Sequence, residues 1–196
     1  MDIFLIYLDI ITYYVDNNFL LSAILFFIFL VIYNSFSLPG NLFFFLSSGF
    51  FFNVYIGFLI NILSIVIGSL NFFIFSKFFF KIYFSRFYNK YSNKITKIIK
   101  NSSYEYLILL RLISLFPLIV QNICLSILNI SKTKFIITTF IGFIPLMFLA
   151  AFIGNEISDL IELKNFNTKD LFSSKVLLVF LLLIVMIILR IFFKKK

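Results

Sequence analysis

Apolar residues in this chain come in long runs and not in strict alternation. One tract covers 19–36 and is stopped by Ser37-Leu38-Pro39-Gly40. A second covers 42–80 and is interrupted at Gly49, Asn53 and Gly57. A third, 104–130, is apolar enough to enter a bilayer yet holds Arg111 and the amides Gln121 and Asn122 around Pro117. Two more cover 135–153, with Gly142 and Pro145, and 175–193. About 20 apolar residues are needed to cross a bilayer as a helix, so the tracts predict an all-α polytopic membrane protein. The second tract is too long for one helix, and 39–54 is too short to be a span beside 57–77. It reads as a re-entrant hairpin followed by a helix.

Polar positions within the tracts carry the next layer of prediction. In 57–77, Asn61, Ser64, Gly68 and Asn71 recur at three- and four-residue steps, which puts a small, polar stripe on one helix face. Close helix packing and a substrate path are both open readings of it. In the third tract, an arginine at mid-helix costs roughly 2.5–3.5 kcal/mol on an insertion scale, and proline removes a backbone hydrogen bond that hydrocarbon cannot replace. Either Arg111 marks a helix end and snorkels to the headgroups, or 104–130 is a second broken, re-entrant segment. In the second case the guanidinium and amides line a polar cavity. The segment 1–17 is short, contains Asp2 and Asp9, and lacks a basic region before its apolar core, which predicts an interfacial helix, with a tilted partial span as the alternative, and not a secretory signal.

Composition confirms the class and narrows the chemistry. Hydrophobic residues make up 62% of 196 residues and the mean hydropathy is +1.11, far from a soluble domain. Histidine is absent and Cys124 is the sole cysteine, so metal sites of imidazole and thiolate, a Cys–His nucleophile and a disulfide framework are excluded; Cys124 reads as packing. There is no phosphate-binding glycine loop and no carboxylate pair in an apolar tract to serve as a general base, so no enzyme activity and no cofactor are expected. The net charge of +9 follows membrane boundaries and does not form a nucleic-acid-binding stripe. Lys77, Lys81, Arg86, Lys90, Lys94, Lys97 and Lys100 make 77–103 a cytoplasmic loop, with an amphipathic surface helix over its lysines. The link 156–173 is less basic and predicts the outer side, and 174–196 is a C-terminal span with a basic tail. Pro39 then lies outside and the N-terminus inside.

The two halves each contain a proline-bearing hairpin, one starting from either side, followed by a span rich in small residues: the pattern of an inverted repeat. Three segments, LPGNLFFFLSSGFFFNVYIG, RLISLFPLIVQNICLS and IGFIPLMFLAAFIG, together resemble the DedA superfamily, and within it the VTT-domain or SNARE-associated Golgi proteins. The resemblance covers roughly 35–155, with Pro39, Gly40, Gly49, Gly57, Gly68, Pro117, Gly142, Pro145 and Gly154 as structural matches. Asn53, Ser114, Ser126 and Lys77 depart from the usual pattern. Asn41 stands where bacterial members carry an acidic residue, and no Asp or Glu lies between Asp16 and Glu105. What the resemblance implies is movement of phospholipid or polyprenyl-phosphate headgroups across a cell membrane by a scramblase or flippase. Arg111 would face the phosphate, and Asn41, Gln121 and Asn122 would hydrogen-bond the headgroup. Membrane lipids are the expected partners, nucleic acid is not, and a homo-oligomer is open. A structural or biogenesis role and a small-solute transporter are the alternatives.

Overall fold

The computed structural model describes residues 2–83, 104–112, 117–127 and 130–162. Six helices make up these stretches: α1 (Asp2–Asn17), α2 (Phe19–Ser35), α3 (Asn41–Tyr83), α4 (Tyr104–Leu112), α5 (Leu118–Ile127) and α6 (Lys132–Glu162). No strand occurs among the described residues. The contacts divide the chain into two units, Met1–Asn155 and Glu156–Lys196, and only the end of α6 is described in the second. The amphipathic helix expected over the basic loop, the rest of the polar link and the C-terminal span lie outside the described residues.

Helix α1 meets α2 at an angle of 109° across Asn18. So sharp a bend rules out one straight span through both helices. At 17 residues, α2 is about 26 Å long, slightly short of the ~30 Å hydrocarbon core. Its outward face is apolar, with Leu20 74% and Leu25 55% exposed. Water does not tolerate a continuous face of that kind; lipid does. Helices α3 and α6 supply 38- and 28-residue stretches, Asn41–Phe78 and Lys132–Asp159, long and apolar enough to cross.

Helix α3 is not one rod. Asn53 has φ 62° and ψ 175°, a backbone that ordinarily demands glycine, and the chain reverses there. In a straight helix residues 45 and 61 would lie about 24 Å apart. Here Asn61 Nδ2 donates to the Phe45 carbonyl at 2.9 Å, and the Ser48 hydroxyl lies 2.8 Å from Asn61 Oδ1. The arms 41–52 and 54–83 are therefore antiparallel, and the second arm continues without interruption into the long span. Asn53 stabilises its own turn: its Oδ1 accepts from the backbone N–H of Tyr55 at 3.1 Å and of Ile56 at 3.3 Å, an N-cap for the second arm.

Backbone-to-backbone approach holds the arms and spans together. A side chain at Gly49 would collide with the Ala151 carbonyl, and one at Gly154 with the Leu46 carbonyl, so the first arm of α3 is clasped to α6 through two glycines. The stripe foreseen on the second arm is used in the same way. Asn61, Ser64 and Gly68 are buried, Gly57 abuts Gly49 and Ser48, and Gly68 abuts Asn34 of α2. Asn71 lies at the exposed end and donates to the Ser35 hydroxyl at 3.1 Å. The stripe is a packing face within the chain. Leu30, Phe45, Phe52, Ile62, Ile65 and Met147 form the main core, and Phe73, Leu107, Leu125 and Phe135 a second one.

Candidate functional site around Arg111

The second core surrounds the polar residues of the third tract. Arg111 is in the last turn of α4, where a cation complements the helix dipole. Pro117 opens the way into α5: its carbonyl accepts from the N–H of Val120 at 3.0 Å and of Gln121 at 3.2 Å, and its missing N–H falls where no helical partner exists. Leu107 of α4 and Leu125 of α5 share one core cluster, although 18 residues of continuous helix would separate them by about 27 Å. The two short helices thus face each other as a second hairpin.

Consecutive residues of α5 point about 100° apart, so Gln121 and Asn122 address different neighbours. Gln121 Oε1 accepts from Arg111 Nη1 at 3.4 Å. Asn122 Nδ2 donates to the Ser37 hydroxyl at 3.0 Å, a bond across 85 positions of sequence that ties the second hairpin to the turn before the first. That turn is unusual in itself. Ser37 is buried with φ 50°, left-handed for a non-glycine residue, and Gly40 follows at φ 89°. The Pro39 carbonyl accepts the Tyr33 hydroxyl, which anchors the loop to α2.

Helix α6 closes the site with one face. Residues seven and eight apart share a side, and Phe135, Gly142 and Phe143 all meet Arg111. The guanidinium carbon lies 5.0 Å from the Phe135 ring centroid and 5.4 Å from that of Phe143. Gly142 lies so close to the Arg111 stem that any side chain there would overlap Arg111 Cβ. Pro145 lies within the same helix, one turn beyond. Behind Phe135, Phe73 stacks at 4.4 Å, joining the second arm of α3 to the same assembly.

Arg111 is 0% exposed, which excludes the snorkelling arrangement. Its charge is nevertheless poorly met. A guanidinium has five donors, and Nε and Nη2 reach no acceptor among the described residues. The bond to Gln121 is long, and each ring contact is worth about 0.5–2 kcal/mol against a desolvation penalty of several kcal/mol. No carboxylate lies between Glu105 and Glu156 in the sequence. Glu105, six residues before Arg111 on α4, is exposed and belongs to another side of the helix. Among the described residues the cation is buried and no carboxylate is paired with it.

Of the four residues expected at a headgroup site, Gln121 bonds Arg111, while Asn122, on the next face of α5, bonds Ser37 instead. Asn41 begins α3, half-buried, and no hydrogen bond among the described residues joins it to the other three. Phe135 and Phe143 were not foreseen, nor were Asn34 and Ser37. Asn34 and Ser37 sit three residues apart at the end of α2, a spacing that faces one side, and this was the only available signal for them.

The order of these segments is that of a known domain. A profile of the VTT domain matches residues 38–156, more than half of the chain. The chain belongs to the VTT-domain family. This is the domain of the DedA and SNARE-associated Golgi proteins, and the matched range takes in α3, α4, α5 and α6 as far as Glu156. No curated protein sequence and no solved structure matches the chain significantly.

Proposed function

We propose that this VTT-domain protein is a multi-pass protein of a cell membrane that moves lipid headgroups across the bilayer, as a scramblase or flippase without an ATP site. The ligand is a phosphate-bearing headgroup, of a phospholipid or a polyprenyl phosphate, and no covalent step is involved. The observation that carries this reading is Arg111, fully buried, with two nitrogens unpartnered among the described residues and no acidic side chain supplied by its surroundings. A phosphate oxygen pair matches the planar guanidinium fork and supplies the absent charge. In a bilayer, the abundant source of phosphate is the headgroup. The two hairpins act as re-entrant segments whose ends meet inside the membrane, so that irregular backbone faces protein and ligand instead of lipid.

A purely structural Arg111, clamping backbone carbonyls of the opposite hairpin, is the rival reading. Among the described residues its side-chain bond goes to the Gln121 amide oxygen and none to a backbone carbonyl, which weighs against it. The test is lipid scrambling in liposomes reconstituted with wild type, Arg111→Ala and Arg111→Lys, each normalised to folded protein. Loss of scrambling in Arg111→Ala at equal folded yield, with partial retention in Arg111→Lys, supports the phosphate reading. A wild type that moves neither phospholipid nor polyprenyl phosphate sinks it.

A further inference from the structure

On the face of α5 next to that of Gln121, Asn122 belongs to a group of polar atoms that the phosphate does not use. Asn34 is 0% exposed, and both its Nδ2 and its Oδ1 are without a hydrogen-bond partner among the described residues. Asn122, also 0% exposed, spends its Nδ2 on Ser37 and leaves its Oδ1 unpaired. Ser37 stands between the two residues: its hydroxyl accepts the Asn122 bond and lies 3.5 Å from the backbone carbonyl of Asn34, three positions earlier, and its backbone is left-handed. Leaving buried amides unpaired in an apolar surrounding is costly, and a fold with 32 phenylalanines does not lack apolar alternatives.

We propose that Asn34, Ser37 and Asn122 form a second subsite, which takes the uncharged, hydroxyl-bearing part of an anionic lipid headgroup while Arg111 holds its phosphate. The inference rests on the phosphate reading of Arg111 and extends it to substrate class. Its chemistry follows from the unpaired atoms. One amide nitrogen, with two N–H donors, and two acceptor oxygens are open, and a hydroxyl group both donates and accepts, so a glycerol or similar polyol, with more than one hydroxyl, suits Asn34 and Asn122. A choline group offers no N–H or O–H to the two amide oxygens. An ethanolamine ammonium donates but cannot accept from Asn34 Nδ2, and brings a second cation toward Arg111 where no carboxylate lies between residues 106 and 155. A bare phosphate monoester fills the Arg111 side and leaves the amides empty. Consecutive Cα atoms are about 3.8 Å apart, so Gln121 and Asn122 put the two subsites on adjoining faces of a single helical turn.

The test is a headgroup series with identical acyl chains, phosphatidylglycerol, phosphatidic acid and phosphatidylcholine, in proteoliposomes of wild type and Asn34→Leu. Leucine is close in size and removes only the unpaired amide, so the variant is expected to fold. The expected result is phosphatidylglycerol moving about tenfold faster than the other two in wild type, and falling to the phosphatidic acid rate in Asn34→Leu with that rate unchanged. A second readout needs no transport: short-chain phosphatidylglycerol raises the melting temperature of the detergent-solubilised wild type more than short-chain phosphatidic acid does, and Asn34→Leu abolishes the difference. Equal rates for phosphatidylglycerol and phosphatidic acid in wild type overturn the subsite and leave the Arg111 reading standing, with water alone on the amides. Failure of every lipid to move overturns both.

Discussion

In the first hairpin, the Ser48 hydroxyl and the Asn61 amide face each other across the turn at Asn53. Asn61 Nδ2 reaches the Phe45 carbonyl, its Oδ1 lies 2.8 Å from Ser48 Oγ, and no polar atom of either side chain is left unpaired. In the second hairpin, Arg111, Gln121 and Asn122 occupy the equivalent place between two short helices. There the guanidinium nitrogens Nε and Nη2 and the Asn122 Oδ1 have no partner among the described residues. Both are buried polar groups in a membrane fold, yet the first is neutral and closed while the second is charged and open. A closed network rigidifies, and an open one stores a demand that a ligand can meet. The difference assigns fold-holding to the first hairpin and binding to the second.

That assignment breaks most visibly at Arg111→Met. Replacing a buried, unmatched cation by an apolar side chain of similar length should leave stability unchanged or raise it by about 1–3 kcal/mol. Lipid movement should fall about 100-fold or more, because a desolvated charge–phosphate contact is worth several kcal/mol. Scrambling rate and thermal unfolding in detergent, measured on one preparation, read both quantities. A lower melting temperature would make Arg111 a fold-holding residue like Asn61.

The converse variant is Asn61→Ala. It removes the amide from between Phe45 and Ser48 and leaves a small void inside the first hairpin, with the Ser48 hydroxyl still 2.8 Å from the Phe45 carbonyl, and should cost about 2 kcal/mol of stability. Scrambling per folded molecule should stay within about twofold of wild type on the same reasoning, since Asn61 hydrogen-bonds only within the first hairpin. Selective loss of scrambling with full stability would reverse the comparison.

How far these two regions were visible in the sequence depends on how local their signals are. The breaks at Pro39-Gly40 and Pro117, the small-residue stripe and the unusual arginine–amide tract were legible, because proline, glycine and charge have strong meanings in an apolar run. Pairing across distance was not. The Asn122–Ser37 bond spans 85 positions, and nothing in either segment announces the other. Asn34 reads as the ordinary polar end of an apolar tract until Gly68 is found against it. Phe135 is one of 32 phenylalanines, and only the fold distinguishes the ring beneath Arg111. Asn41 was chosen because it stands where the resembled family carries an acidic residue; the reversal at Asn53 draws Ser48 and Asn61 into the interior and leaves Asn41 half-buried at the start of α3.

The turn itself sharpens the comparison at a smaller scale. Asn53 combines a strained φ of 62° with two cap bonds that offset the strain. Asn53→Ala keeps the strain and loses the cap, for about 1–2 kcal/mol of stability, whereas Asn53→Gly loses both and should stay within about 0.5 kcal/mol of wild type. Thermal melts of the pair check this directly. Equal losses in the two variants would mean that the cap alone matters and that the backbone there is unstrained.

The smallest effect is expected where the two regions touch. Ser76 Oγ on the second arm of α3 lies 3.0 Å from Ser126 Oγ on α5, and both are buried. The Ser126 hydroxyl also reaches the Ile123 carbonyl of its own helix at 2.8 Å. Either hydroxyl can be the donor in the pair. Each serine keeps an intrahelical alternative when the other is removed, since a hydroxyl in a helix can turn back to a carbonyl one turn earlier. A double-mutant cycle of Ser76→Ala and Ser126→Ala should therefore give a coupling of only about 0.5 kcal/mol. If scrambling survives in both variants, the first region influences the second through packing of Phe73 on Phe135 and not through this polar contact. A coupling of about 2 kcal/mol would instead mark the hydroxyl pair as a latch between the hairpins, and the division of labour between them would no longer hold.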